Sequence, residues 1–158
     1  LYTGTLPNQV VRTLHVGFLC LTACGLLANA EETSPAARYF WWAVGVAGFL
    51  VGLYHWWNYV ELVNRAGEVT PADTVVGLTA LAVLFLLVWR AMGIALPLVA
   101  GTFLAYCFFG QYLPAPYNHR GYGLDQVLEQ MTFGTEGIYA TPTAVSATFI
   151  FLFILFGA

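Results

Sequence analysis

The sequence predicts an all-α integral membrane protein, with four complete transmembrane helices, the start of a fifth, and one short amphipathic interfacial helix. Charge scarcity is the first reason. The 158 residues are 59% hydrophobic and 8% charged, with a mean hydropathy of +0.74. A soluble domain carries about 25% charged residues, so this chain cannot build a water-exposed surface and lipid must cover much of it. The second reason is the length of the uncharged windows: 13–30, 39–60, 74–89, 91–119 and 137–158. A helix needs roughly 17–25 mostly apolar residues to cross a bilayer, and in hydrocarbon it pairs every backbone N–H and C=O internally. The third is the helix-start chemistry that frames the windows.

The spans are expected at about 10–29, 38–60, 71–91, 94–110 and 142 onward. The second carries its own ruler: Tyr39, Trp41 and Trp42 at one end, and Tyr54, Trp56, Trp57 and Tyr59 at the other. On a helix, Tyr39 to Tyr59 covers roughly 30 Å, about one hydrocarbon thickness. Trp and Tyr prefer the two interfaces. Within it, Gly48 and Gly52 form a G-x-x-x-G step, which either permits close helix approach or is a chance recurrence in a glycine-rich chain.

Thr70-Pro71-Ala72-Asp73 supplies a capping hydroxyl, a proline at the first helical position and a carboxylate three residues after the cap. Ser34-Pro35 and Thr141-Pro142 repeat the order of cap then proline. Gly110, Pro114 and Pro116 end the fourth span. In 124–133, Leu124, Val127, Leu128 and Met131 share one helix face and Asp125, Gln126, Glu129 and Gln130 the other. That stretch is too short to span, and its acidic side does not favour anionic headgroups. It should lie along the interface or pack on a partner or sister helix. Both ends read as cut: Leu1-Tyr2-Thr3-Gly4-Thr5 resembles the tail of an earlier element, and the last window is still apolar at Phe156-Gly157-Ala158.

The charges exclude several function classes. The net charge is −3, and the positive groups are five scattered arginines with no lysine, so nucleic acid is not a partner. Cys20 and Cys24 share a helix face in an apolar run and read as small buried side chains, as does Cys107. No nucleophile–base pair, phosphate loop or zinc spacing appears, so neither an enzyme nor a metal site is expected.

Arg12 and His15 lie three apart on one face near a membrane boundary. An ionisable group at membrane depth is a functional candidate; the alternative is Arg12 snorkelling to headgroups while His15 packs between helices. His55 reads as an interfacial anchor, and Arg90 as a partner of a helix C-terminus or headgroups. His119 and Arg120 sit in a loop, as a structural turn or a docking surface. Glu136, between Gly134 and Gly137, could break a helix at the surface or serve as a solvated cap. Ser146 and Thr148 are positioned to bond across helices.

Glu61-Leu-Val-Asn-Arg-Ala-Gly, Gly110-Gln-Tyr-Leu-Pro, His119-Arg-Gly-Tyr, Thr135-Glu-Gly-Ile, and Val145-Ser-Ala-Thr-Phe running into Phe153 to Ala158 form an ordered series. Together they resemble the fused membrane component of tripartite ATP-independent periplasmic (TRAP) transporters, of the type that works with TAXI-type binding proteins. Ala140-Thr141-Pro142 departs from the Gly-Ile-Pro-like step of that pattern. The resemblance implies small-subunit-like helices in 1–92, a connector in 93–123 and the start of a large-subunit-like region in 124–158. It implies a sodium-coupled symporter for organic acids in a bacterial or archaeal inner membrane, with sodium as coupling ion and no other cofactor. Its partners would be lipid, the rest of the large permease subunit and a periplasmic TAXI-type binding protein that delivers the organic acid. This segment would be scaffold and docking surface, with the ion and substrate sites elsewhere. The alternative is a structural membrane subunit or assembly factor with no transported substrate.

Overall fold

Capping chemistry decides where the long helices begin. In a computed structural model that describes residues 6–30 and 33–157, they are α1 (Asn8–Ala28), α2 (Pro35–Trp57), α4 (Pro71–Met92) and α5 (Ala95–Phe109), with a short α3 (Tyr59–Asn64) after α2. A 3-10 turn at Gly110–Tyr112 follows α5. Then come α6 (Leu124–Leu128), continued by a π-helical turn over Glu129–Phe133, and α7 (Thr141–Val145), continued by a second π turn into α8 (Phe151–Gly157). The expectations for Leu1–Thr5 and for Ala158 lie outside the described residues. The four long helices, the last taken to Tyr112, are long and apolar enough to cross a membrane. The shorter apolar run Thr141–Gly157 is the expected start of a fifth.

Thr70 and Asp73 form the anticipated capping box: the Thr70 hydroxyl accepts from the Asp73 amide at 3.3 Å and the Asp73 carboxylate from the Thr70 amide at 2.9 Å. Ser34 accepts from the Ala37 amide and sets the start of α2. Gly93, at φ +81°, ends α4 in a conformation that favours glycine. The third cap is not as expected. Ala140 is the boundary residue of α7 and Pro142 lies in its first turn, so Thr141 is helical, and it is Thr143 whose hydroxyl bonds back to the Ile138 carbonyl.

α1 and α2 form a tight antiparallel hairpin, because α2 places glycines at the points of closest approach. A Cβ at Gly48 would stand 2.8 Å from the Cys20 Cβ, and one at Gly52 would stand 2.9 Å from the Thr13 carbonyl oxygen. Of the two readings of this step, the structure supports close approach. Cys20 and Cys24 are buried there with Val44, joined by Val83 of α4, as small apolar side chains with free thiols. α5 packs on α4 and leaves Leu98, Val99 and Phe103 exposed, as suits a lipid-facing helix. α6 packs on α4, a sister helix, with Val127 and Leu128 buried. The π turn, closed by the Gly134 amide on the Glu129 carbonyl, carries the buried face on to Thr132 and Phe133.

Candidate functional site

Between the first π turn and α7 the chain runs through residues 134–140 with no regular helix. Irregular backbone near a membrane leaves carbonyls without helical partners, and it is tolerated where protein covers it. Here α1 and α2 supply the cover. Gln9 donates to the Phe133 carbonyl at 2.5 Å and Arg12 to the Tyr139 carbonyl at 2.8 Å. His55 Nε2 lies 2.9 Å from the Thr132 carbonyl, and His15 Nε2 lies 3.0 Å from the Ser146 hydroxyl. Four side chains of the first two spans thus hold three backbone carbonyls and one hydroxyl of the 132–146 segment, an arrangement we call the polar latch.

Packing fixes the latch. His55 is 2% exposed. Its ring stacks on Phe133 at 5.2 Å and meets Tyr139 edge-on at 5.3 Å. Its Nδ1 faces the Val51 carbonyl at 2.8 Å. A neutral imidazole donates to one of its two carbonyls, and an imidazolium to both. Tyr139 is buried, which pushes its phenol above the ordinary range. A cavity of about 230 Å³ opens beside the latch, with Gln9, Thr13, His55, Glu129 and Thr135 on its walls.

Next to His55 in sequence, Tyr54 donates to Asp73 at 2.7 Å. Asp73 is 1% exposed. It also forms a salt bridge with Arg65 at 2.8 Å and accepts from the Thr70 hydroxyl at 2.6 Å. Its place in the first turn of α4 suits an anion. Among the described residues, the buried Nε atoms of Arg12 and Arg65 have no hydrogen-bond partner.

The sequence candidates scatter over this frame. Arg12 and His15 join the latch, so Arg12 does not snorkel: its guanidinium is claimed by Tyr139. His55 is a buried connector instead of an interfacial anchor, because Thr132 and Phe133 cover it. Gly48 and Gly52 form the seam beneath. Glu136 lies exposed on the irregular segment. His119 forms a separate turn: Nε2 faces the Tyr106 carbonyl at 3.0 Å, Nδ1 faces the Arg120 carbonyl at 2.8 Å, and the ring sits edge-on to Tyr106. Arg120 is exposed beside it. Ser146 bonds across helices to His15, whereas Thr148 bonds within its own helix to Ala144. Sequence reasoning missed Gln9, Tyr54, Thr132 and Tyr139, and the Arg65–Asp73 pair. The one available signal was Gln9 three residues before Arg12, a second polar group on that helix face. Among the described residues no group of His, Cys, Asp and Glu could hold a metal ion.

A family model described as "Bacteriorhodopsin-like protein" matches residues 3–107. No curated protein and no solved structure matches the chain. The match overturns the TRAP transporter resemblance, and with it the sodium-coupled symport of organic acids, the TAXI-type binding protein and the large permease subunit as partners. That resemblance rested on short segments, none specific alone, and those from Gly110 onward lie beyond the matched residues. Membrane lipid remains as a partner. The expectation of sodium as coupling ion and no other cofactor is overturned too, because proteins of the matched family typically bind retinal. Retinal is an aldehyde, and a protein holds a carbonyl compound covalently through a lysine amine. The 158 residues contain no lysine. A cleft of about 410 Å³ between α4 and α5 is lined by Leu81, Phe85, Phe103 and Cys107 among other apolar side chains. The residues present therefore do not fit covalent retinal.

Proposed function

The chain belongs to the bacteriorhodopsin-like protein family, and from that premise we propose that these residues work as a transmembrane scaffold that anchors the 132–146 segment through the polar latch. It is a multi-pass protein of the cell membrane. The observation that carries the proposal is the reach of Gln9, Arg12 and His55 to the carbonyls of Phe133, Tyr139 and Thr132. Side chains that hold backbone restrict motion, and a segment so held is presented in one geometry to whatever it meets. We treat the described residues as a helical frame up to residue 92, a connector in 93–123 and the anchored segment from 124 onward. Proteins of this family are generally pumps, channels or sensors, and the scaffold reading assigns no catalytic turnover to these residues.

The family match favours a second reading, a light-driven ion pump or a sensory rhodopsin. It requires an amine from outside these 158 residues. Mixing the full-length protein, with any sequence beyond these 158 residues included, with all-trans-retinal in the dark, reducing with borohydride and measuring the intact mass separates the two. The scaffold reading predicts no retinyl adduct and no absorption band beyond that of free retinal. A stoichiometric adduct with a red-shifted band would establish the second reading and remove the first.

A further inference from the structure

The arginines divide between the two membrane boundaries. At the boundary where α1 begins and α2 ends, Arg12 and Arg65 are engaged internally, by the Tyr139 carbonyl and by Asp73. At the opposite boundary, where α2 begins and α4 ends, Phe40 and Trp41 face Leu86, Trp89 and Arg90 across a cleft of about 590 Å³. Arg90 is exposed, with no hydrogen bond or salt bridge among the described residues. Arg38 stands one helical turn before Trp41 and, among the described residues, uses only its Nε, on the Ala28 carbonyl.

We propose that this cleft binds the headgroup of an anionic phospholipid. The Arg90 guanidinium takes the phosphate, Trp41, Trp89 and Leu86 line the upper acyl chain, and Arg38, exposed three residues before Trp41, is a second cation at this boundary. Arg suits this role, because its planar fork meets phosphate oxygens two at a time and its stem lies along apolar surface while the head reaches the boundary. Indole rings prefer the same depth. A second copy of the chain is a poorer occupant, because a symmetric contact through the cleft would bring like charges together. The site is independent of the latch, so it stands or falls separately from the scaffold reading.

The test uses the purified chain in neutral detergent, titrated with phosphatidylglycerol or phosphatidylcholine, with binding read by native mass spectrometry and by the melting temperature. Phosphatidylglycerol is expected to bind and raise the melting temperature, and phosphatidylcholine to do so far less. Arg90→Gln is expected to weaken phosphatidylglycerol binding roughly fivefold, the change that matches about one basic group at a membrane surface. Arg90→Lys should keep most of the binding, and Arg120→Gln all of it. Equal binding of the two lipids by the wild type, or an Arg90→Gln variant that binds as the wild type does, overturns the proposal. Should Arg90→Gln aggregate, the wild type still decides. Phosphatidylglycerol with brominated acyl chains must quench tryptophan fluorescence more than brominated phosphatidylcholine, and Trp41→Phe must reduce that excess. Equal quenching by the two lipids overturns the proposal as well.

Discussion

Asp73 does several things at once. It caps α4, pairs with Arg65 and accepts the Tyr54 hydroxyl, all at 1% exposure. Asp73→Ala removes the cap and leaves Arg65 half-buried without its partner. Breaking a buried pair costs roughly 3–5 kcal/mol, and Arg65 retains some solvent, so a loss of about 3 kcal/mol is expected, measured as a lower unfolding midpoint in detergent. Midpoints of Asp73→Ala and wild type that coincide would show that the pair contributes nothing. The capping role was legible in Thr70-Pro71-Ala72-Asp73, because caps are local. The pairing with Arg65 was not, because it depends on how 65–70 folds back from α3 to α4. His55 teaches the same thing: its aromatic neighbours in sequence suggest a boundary, whereas its burial is decided by Thr132, 77 residues away.

At the scale of elements, the seam between α1 and α2 makes the sharpest prediction. Gly48 faces Cys20 and Val83 with no space for even one carbon, since a Cβ would lie 2.8 and 3.1 Å from their atoms. Gly48→Leu should push α2 off both α1 and α4 and cost about 1–3 kcal/mol or more by overpacking, while Gly123→Ala, in open space with an ordinary backbone, leaves the seam untouched. A Gly48→Leu variant as stable as the wild type would mean the helices do not pack here. The spans themselves were readable to within about three residues, because charge and caps are written locally along the chain. The π turns at Glu129–Phe133 and Ser146–Ile150 were not readable. A π turn is a compromise between helix and tertiary contact, and the sequence alone shows only the helix-forming half.

At the scale of the whole molecule, α1, α2 and α4 make a compact frame, α5 borders it with a largely lipid-facing surface, and the 124–157 segment is drawn back onto the frame. The latch that draws it back joins residues 124 and 127 positions apart, Gln9 to Phe133 and Arg12 to Tyr139. Each uses a backbone carbonyl as acceptor, and a carbonyl carries no residue identity, so no motif in the sequence could announce the contact. That is why Arg12 was visible as a candidate while its partner, the Tyr139 carbonyl, was not; His15 and Ser146 each carry a polar side chain and were both visible, though not their pairing. The central claim is that these side chains hold the segment in place. It is tested most directly by amide hydrogen exchange, in lipid nanodiscs, of the wild type against Gln9→Ala/Arg12→Gln. Amides in 132–140 are expected to exchange at least tenfold faster in the double variant, about 1.4 kcal/mol of lost protection, while those of 41–54 in α2 keep their protection. Unchanged exchange in 132–140 would contradict it.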